Sequence, residues 1–186
     1  MGTSRDPTAV DDLVLARRAG LGDRQAFTEI ARRHGAAMYR FARRVLLSDA
    51  DAEEAVQDAL VSAWQHLAEF RGDAALRTWL FRLTLNRAHN LRRQRRPEPR
   101  EVDEDTLPPA SGADPEGSTI ERELVAALDR ALAQLPERQR IIWLLREVDQ
   151  LSYEEIADIT HTSKDAVRGQ LHRARRTLAE RLAPWR

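Results

Sequence analysis

The sequence predicts an all-α protein made of two small helical domains joined by a flexible acidic linker. Three observations carry this. Apolar residues recur at spacings of three and four along most of the chain, with no alternating strand pattern. Charged residues are 32% of the 186 and are interspersed throughout, so a core can form only from amphipathic elements. One stretch breaks the periodicity, residues 97–118, PEPREVDEDTLPPASGADPEGS, with one basic and seven acidic side chains. It has too few large apolar groups to offset the entropy of ordering it. The expected domains are therefore 11–96 and 119–184, with 97–118 between them.

Composition narrows the function before any motif is considered. The chain has 30 basic and 30 acidic side chains and no cysteine, which excludes disulfides, thiolate nucleophiles and thiolate metal sites. No run of about 18 apolar residues is present, so no membrane-spanning helix is expected. Met1 to Val10 lack the apolar core of a signal peptide. A cytoplasmic protein without membrane insertion is the expectation. The charges are unevenly placed: 17 basic against 12 acidic in residues 1–96, and 12 against 11 in residues 119–186. Lys164 is the only lysine, and the remaining 29 basic residues are arginines, suited to bidentate contacts with phosphate and guanine.

The N-terminal elements follow in order. Thr8 to Asp11 and Ser48 to Asp51 have the spacing of capping boxes, hydroxyl first and carboxylate three residues on. From about Arg24 to Leu47, Phe27, Ile30, Met38, Phe41, Val45 and Leu46 mark one helical face, and Arg32, Arg33, Arg40, Arg43 and Arg44 the other. From Asp51 to Phe70 the apolar face is Ala52, Val56, Ala59, Leu60, Ala63, Trp64, Leu67 and Phe70, opposite Glu53, Glu54, Gln57 and Asp58. Gly72 breaks the chain and Asp73 is placed to cap a helix from about Leu76 to Arg96. That helix has a short apolar stripe (Trp79, Leu80, Leu83, Leu91) surrounded by Arg82, Asn86, Arg87, His89, Asn90, Arg92, Arg93, Arg95 and Arg96. Like charges at helical spacing repel, so a polyanionic partner is expected. The residue mix suits nucleic acid: Arg for phosphate, Asn for base edges, aromatics for unstacked bases. Trp64 and Phe41 read as core, and Trp79 as either core or a DNA contact.

In the C-terminal part, Ser118 to Glu121 opens a stripe of Ile120, Leu124, Ala127, Leu128, Ala131 and Leu135. Pro136 reads as the first-turn proline of a helix to about Asp149 that buries Ile141, Ile142, Leu144 or Leu145, and Val148. Ser152 to Glu155 caps a short helix with Ile156, Ala157 and Ile159. After the turn Thr160–Ser163, a last helix from Lys164 to about Leu182 turns Val167, Leu171, Ala174 and Leu178 inward. Two helices joined by a four-residue turn, the second basic and exposed, describe a helix-turn-helix.

The stretches DADAEEAVQDAL (49–60) and FRGDAALRTWLFRLTLNRAHN (70–90) resemble region 2 of bacterial extracytoplasmic-function (ECF) sigma factors, over about Asp11 to Arg96. The run LPERQRIIWLLREVDQLSYEEIADI with AVRGQLHRARRTL resembles region 4 of the same group. The resemblance implies binding of core RNA polymerase through its β′ clamp helices by Asp51, Glu53, Glu54, Gln57 and Asp58. It implies capture and melting of the −10 element by Phe70, Arg71, Asp73, Trp79, Arg82, Asn86 and Asn90. For the −35 element it implies Lys164, Arg168, Gly169, Gln170, His172 and Arg173, with the same module touching the polymerase β flap. The usual Gly-Thr-Val-type start of that helix is replaced here by Ser163-Lys-Asp-Ala-Val. The linker would thread the polymerase channel, and an anti-sigma factor would be a further partner.

A stand-alone helix-turn-helix regulator is the alternative. It fits less well, because an autonomous DNA binder is normally strongly basic and residues 119–186 are nearly balanced. It would also leave the acidic 51–58 face without a task. An enzyme is not expected: His34, His66, His89, His161 and His172 show no metal-ligand spacing, and there is no phosphate-cradling glycine loop. No cofactor or metal is expected either.

Overall fold

A computed structural model describes residues 11–95 and 119–183, with side chains of the second segment from residue 123 onward. Among these residues there is no strand, and eight α-helices follow in order: α1 Asp12–Gly20, α2 Arg24–Leu46, α3 Asp49–His66, α4 Leu76–Arg95, α5 Thr119–Ala133, α6 Glu137–Trp143, α7 Tyr153–Ile159 and α8 Lys164–Arg181. The linker, the Thr8 end of the first capping box, the Ser118–Glu121 box and Arg96 lie outside the described residues.

Local chemistry sets the helix ends. Asp11 itself caps α1, accepting from the Leu13 N–H at 3.1 Å. Asp23 accepts from Gln25 and Ala26 N–H to start α2. Ser48 accepts from the Asp51 N–H at α3. Ser152 and Glu155 form the full reciprocal box of α7, each side chain bonded to the other's backbone N–H. Asp73, read as the cap of α4, instead stands exposed on the preceding loop, and the first-turn amide of Trp79 is bonded to the Ala75 carbonyl. Pro136 is not the first helical residue but the cap position itself, with extended ψ of 134°.

α1 to α4 pack around Ile30, Met38, Ala52, Ala59, Ala63 and Leu80, all fully buried. The alanines of α3 allow α2 and α4 to approach it closely on both sides. Trp64 packs edge-on against Phe27, and Phe41 against Phe81, with ring centroids 5.1 Å apart in both pairs. α5 to α8 form the second body, with Val167, Leu171, Ala174 and Leu178 of α8 buried as the periodicity required.

One phase prediction fails in this second body. α6 continues as a π-helical turn over Leu144–Val148, and the Asp149 N–H bonds five residues back to Leu144. The extra residue in the turn brings both Leu144 and Leu145 inward and rotates Val148 out to 44% exposure.

The two bodies are docked, which two domains on a flexible tether did not require. Phe41, Val45, Phe81, Leu85 and Ala88 from α2 and α4 share one continuous apolar cluster with Leu132, Leu145, Ile156 and Leu171. Arg140 of α6, only 4% exposed, donates to the carbonyls of Ala133 (2.9 Å) and of Val45 (3.0 Å) in the last turn of α2. A guanidinium is favourable there because it meets the negative end of the α2 dipole.

Candidate nucleic-acid and polymerase interface

α3 presents its acids as one strip. Glu53, Glu54, Gln57 and Asp58 are exposed and Asp51 is half-buried. Asp51 and Glu54 are both engaged by Arg95 from the end of α4. Val61, 57% exposed, extends the strip by another turn and was missed from sequence. Its spacing from Gln57 and Asp58 was the available signal.

The residues implied for the −10 element fall on two adjoining features. The loop before α4 carries Arg71 and Asp73 exposed, and Gly72 between them sits at φ +81°, a left-handed turn that a side chain would strain. Phe70 lies just past the short 3₁₀ turn Leu67–Glu69, not on the helix where the periodicity put it, and packs on Trp79 at 5.3 Å between centroids. On α4, Trp79, Arg82, Asn86 and Asn90 are spaced by three, four and four, which stacks them along one ridge. Leu76, Leu80 and Leu91 point from the helix into the first body, and Phe81, Leu85 and Ala88 into the seam between the bodies. The ridge emerges between these two packed faces. Asn86 is exposed, Trp79 and Arg82 are half-buried, and the Asn90 Oδ1 accepts from Arg93 at 2.8 Å. Trp79, left open from sequence, is thus both a packing partner of Phe70 and a member of the ridge.

The positive charge of α4 is largely answered within the chain. Arg77 meets Asp149 at 2.8 Å, Arg82 meets Asp158 at 3.4 Å and Arg92 meets Glu137 at 2.6 Å. Burial pushes the Asp149 carboxyl up from its ordinary range, and the Arg77 guanidinium opposes that shift. The basic face read on α2 is similarly consumed: Arg32 pairs with Glu29, Arg43 with Asp49 and Arg44 with Asp129.

α8 follows the turn after α7 in helix-turn-helix order, capped by Ser163. Lys164 donates to Glu154 at 2.7 Å and holds that carboxyl below its usual range. Arg168 bonds Asp165 at 3.0 Å and lies over the Tyr153 ring, while Arg175 is tied to Glu147. These three lean toward α7 and the π-turn. The ridge opposite the buried stripe is Gly169, His172, Arg173 and Arg176, with Gln170 half-buried at its side. Arg176 was absent from the residues implied by resemblance, although its spacing from His172 and Arg173 places it on the same ridge.

Comparisons with known proteins cover both bodies. The family model described as Sigma-70 region 2 matches residues 30–98, and that described as Sigma-70, region 4 matches residues 126–178. The ECF RNA polymerase sigma-E factor of Escherichia coli K12 is 35% identical over 182 residues, covering 93% of this chain and 95% of its own. The RNA polymerase sigma-H factor of Pseudomonas aeruginosa is 31% identical over 186 residues, covering 95% and 96%. Among solved structures, CnrH in complex with the cytosolic domain of CnrY is similar at TM-score 0.70 and 30% identity, covering 93% of this chain and 97% of that one. The sigma factor RpoE of Bartonella quintana, in complex with the anti-sigma factor NepR, is similar at TM-score 0.72 and 27% identity, covering 84% and 96%.

Proposed function

Since the chain belongs to the sigma-70 family, in its extracytoplasmic-function group, we propose how its faces divide the work of starting transcription. It is a promoter-specificity subunit of RNA polymerase, an initiation factor that binds core polymerase and promoter DNA. In the proposed division, Asp51, Glu53, Glu54, Gln57 and Asp58 on α3, with Val61 beside them, dock on the β′ clamp helices. Phe70, Arg71 and Asp73 in the loop, with the α4 ridge of Trp79, Arg82, Asn86 and Asn90, capture the −10 element and hold its opened strand. Lys164, Arg168, Gly169, Gln170, His172 and Arg173 on α8 read the −35 element, joined by Arg176, while the same module meets the β flap. The units that do this are residues 11–96 and 119–184. The chain works in the cytoplasm alongside polymerase and catalyses nothing itself. An anti-sigma factor, such as the one that holds the Bartonella relative, is its proposed restraint.

The observation that carries this reading is the α4 ridge. A helix between two packed bodies lines up half-buried Trp79, Arg82 and Asn90 with the exposed Asn86 at helical spacing, beside an exposed Arg–Gly–Asp loop. Base capture from a disrupted stack needs such a mixture: stacking surface of about 1–3 kcal/mol per base, plus groups for base edges and phosphate. The test is reconstituted holoenzyme carrying Asn86→Ala, followed by permanganate reactivity of unpaired thymines and by promoter recruitment. Open-complex formation is expected to fall while recruitment to duplex promoter is kept. Equal loss of both steps would remove the ridge from strand capture. No specific footprint is expected from the chain alone at physiological salt; such a footprint would favour the stand-alone regulator instead.

A further inference from the structure

α1 carries none of the faces assigned above, yet it lies against the loop from which α4 rises. At the end of α1, Gly20 abuts the 3₁₀ turn: a Cβ there would stand 3.0 Å from both the Leu67 carbonyl oxygen and the Ala68 Cα. Gly20 is helical and its φ is not positive, so its backbone does not call for glycine but the space does. The same Leu67 carbonyl accepts the Phe70 N–H at 3.2 Å. Nearer the start of α1, the Leu13 Cδ1 comes within 3.0 Å of where a Gly72 Cβ would be, against the left-handed turn at φ +81°. α1 is itself fixed at both ends. Asp12 meets the buried His34 of α2 at 2.9 Å and Arg33 at 3.1 Å, and Arg18 closes on Asp23, the cap of α2, at 2.7 Å.

We propose that α1 is the positioning element of the −10 loop, with Gly20 and Leu13 setting where Phe70, Arg71 and Asp73 meet an extruded base. The proposal rests on the reading of that loop as the base-capture site. Selection among bases requires the loop's ring, donors and acceptors to be held to within about 0.5 Å. α1 touches the chain just before Phe70 and again between Arg71 and Asp73, so it brackets the capturing segment. At Gly20 the neighbouring atoms are backbone, and no side-chain rotation can relieve a clash with them. A methyl group there forces helix and turn apart by a few tenths of an ångström. Because α1 is tied to α2 at both ends, the turn yields and carries Phe70 with it. Leu13 is the softer contact, the end of a flexible side chain, so its truncation loosens Gly72 without pushing it. Both are positioning residues, acting on the DNA only through the loop. Selectivity separates this role from a structural one: partial unfolding lowers the amount of active chain but leaves the ratio between two bases unchanged.

The test uses the full chain in reconstituted holoenzyme, on a promoter recovered by mapping transcript starts with that holoenzyme. Competition among promoters substituted one base at a time gives the discrimination at each −10 and −35 position. Gly20→Ala is expected to lower discrimination at the captured −10 base about tenfold, with −35 discrimination and affinity for core polymerase as in the parent. Leu13→Ala should lower it by about threefold, and Leu13→Met should restore it, since a flexible apolar side chain again reaches Gly72. Gly35→Ala is the matched control, the same substitution on α2 with nothing within 4 Å of the new methyl, and should leave every ratio unchanged. Parental −10 discrimination in both Gly20→Ala and Leu13→Ala overturns the proposal, as does an equal loss at −10 and −35 positions. Arg71→Ala with Asp73→Ala then shows where the failure lies. If that pair loses −10 discrimination, the loop reading stands and only α1 is removed from it; if it does not, the loop reading falls as well.

Discussion

α4 and α8 are both arginine-rich helices assigned to DNA, yet they dispose of their charge in different ways. Arg77, Arg82 and Arg92 of α4 are answered by acids of the opposite body, Asp149, Asp158 and Glu137, and only Arg95 at its end by Asp51 and Glu54 of its own. The acids that answer α8 come from its own body, namely Glu154, Asp165 and Glu147. Pairing within a body orients the flanking side chains of α8 and leaves Gly169, His172, Arg173 and Arg176 facing outward whether the bodies are docked or apart. Pairing between bodies engages the α4 arginines only while the two are docked. The proposed −35 reader would thus be preformed, whereas the proposed −10 reader shares part of its surface with the docked body. Apart from the pair made by the buried Asp149, these are exposed or half-exposed ion pairs, individually worth little to stability. What they decide is which arginines are already engaged in the docked chain.

The sharpest way to break this contrast is through stacking on the shared side. Trp79→Ala in holoenzyme should lower open-complex formation about tenfold to a hundredfold, the loss of stacking of about 1–3 kcal/mol per base. Recruitment to duplex promoter should be kept, since α8 is untouched. Permanganate footprinting beside a filter-binding assay separates the steps. A parallel fall in both would make Trp79 only the packing partner of Phe70. On the preformed side, Arg173→Ala should cost about 1–3 kcal/mol of discrimination at a single −35 base pair, measured by competition among promoters substituted one pair at a time. Arg168→Ala should cost less, because its guanidinium is already bonded to Asp165 and stacked over Tyr153. If Arg168 proves the stronger determinant, the ridge that reads bases is the one leaning on α7, and the assignment of the outward ridge fails.

Much of this was legible in the residues, and the failures have physical causes. The inward stripe of α8 and the reciprocal cap at Ser152 and Glu155 depend only on local spacing, which sequence displays directly. The α4 ridge was legible for the same reason. Val148 was assigned to the core because 3.6-residue periodicity was carried through a segment that turns as a π-helix, and nothing in Leu144–Val148 marks the change. Arg140 carries no local signal that sets it apart, yet the structure buries it against two carbonyls, one of them 95 residues earlier. The arginines of α4 read as facing a polyanion, but the partners of Arg77, Arg82 and Arg92 in the structure are carboxylates 45 to 76 residues downstream, where no periodicity connects them. Long-range charge pairing is a property of the docked fold and leaves no local trace.

The smallest expected effect bears on both bodies at once. Gly169 lies inside α8, where glycine is less favourable than alanine by about 0.5–1 kcal/mol. A Cβ there would meet only the Arg173 guanidinium, at 3.8 Å, an ordinary contact. Gly169→Ala should therefore stabilise the chain by that amount while weakening −35 binding by holoenzyme, because the added methyl stands on the outward ridge where DNA approaches. Unchanged promoter affinity would place that ridge farther from the duplex than proposed. The thermal shift carries a second reading. If the bodies melt together as one cooperative unit of this length, about 1 kcal/mol raises Tm by about 2–4 °C; if the C-terminal body melts alone, the same gain raises its own transition by about 4–8 °C. A single transition with the smaller shift is expected of the docked form. Adding Glu137→Arg and Asp158→Arg should convert it to two transitions, only the C-terminal one responding to Gly169→Ala. A larger shift confined to one transition in the parent would mean that the shared seam does not couple the two bodies, and the contrast between a preformed reader and one shared with the docked body would lose its structural basis.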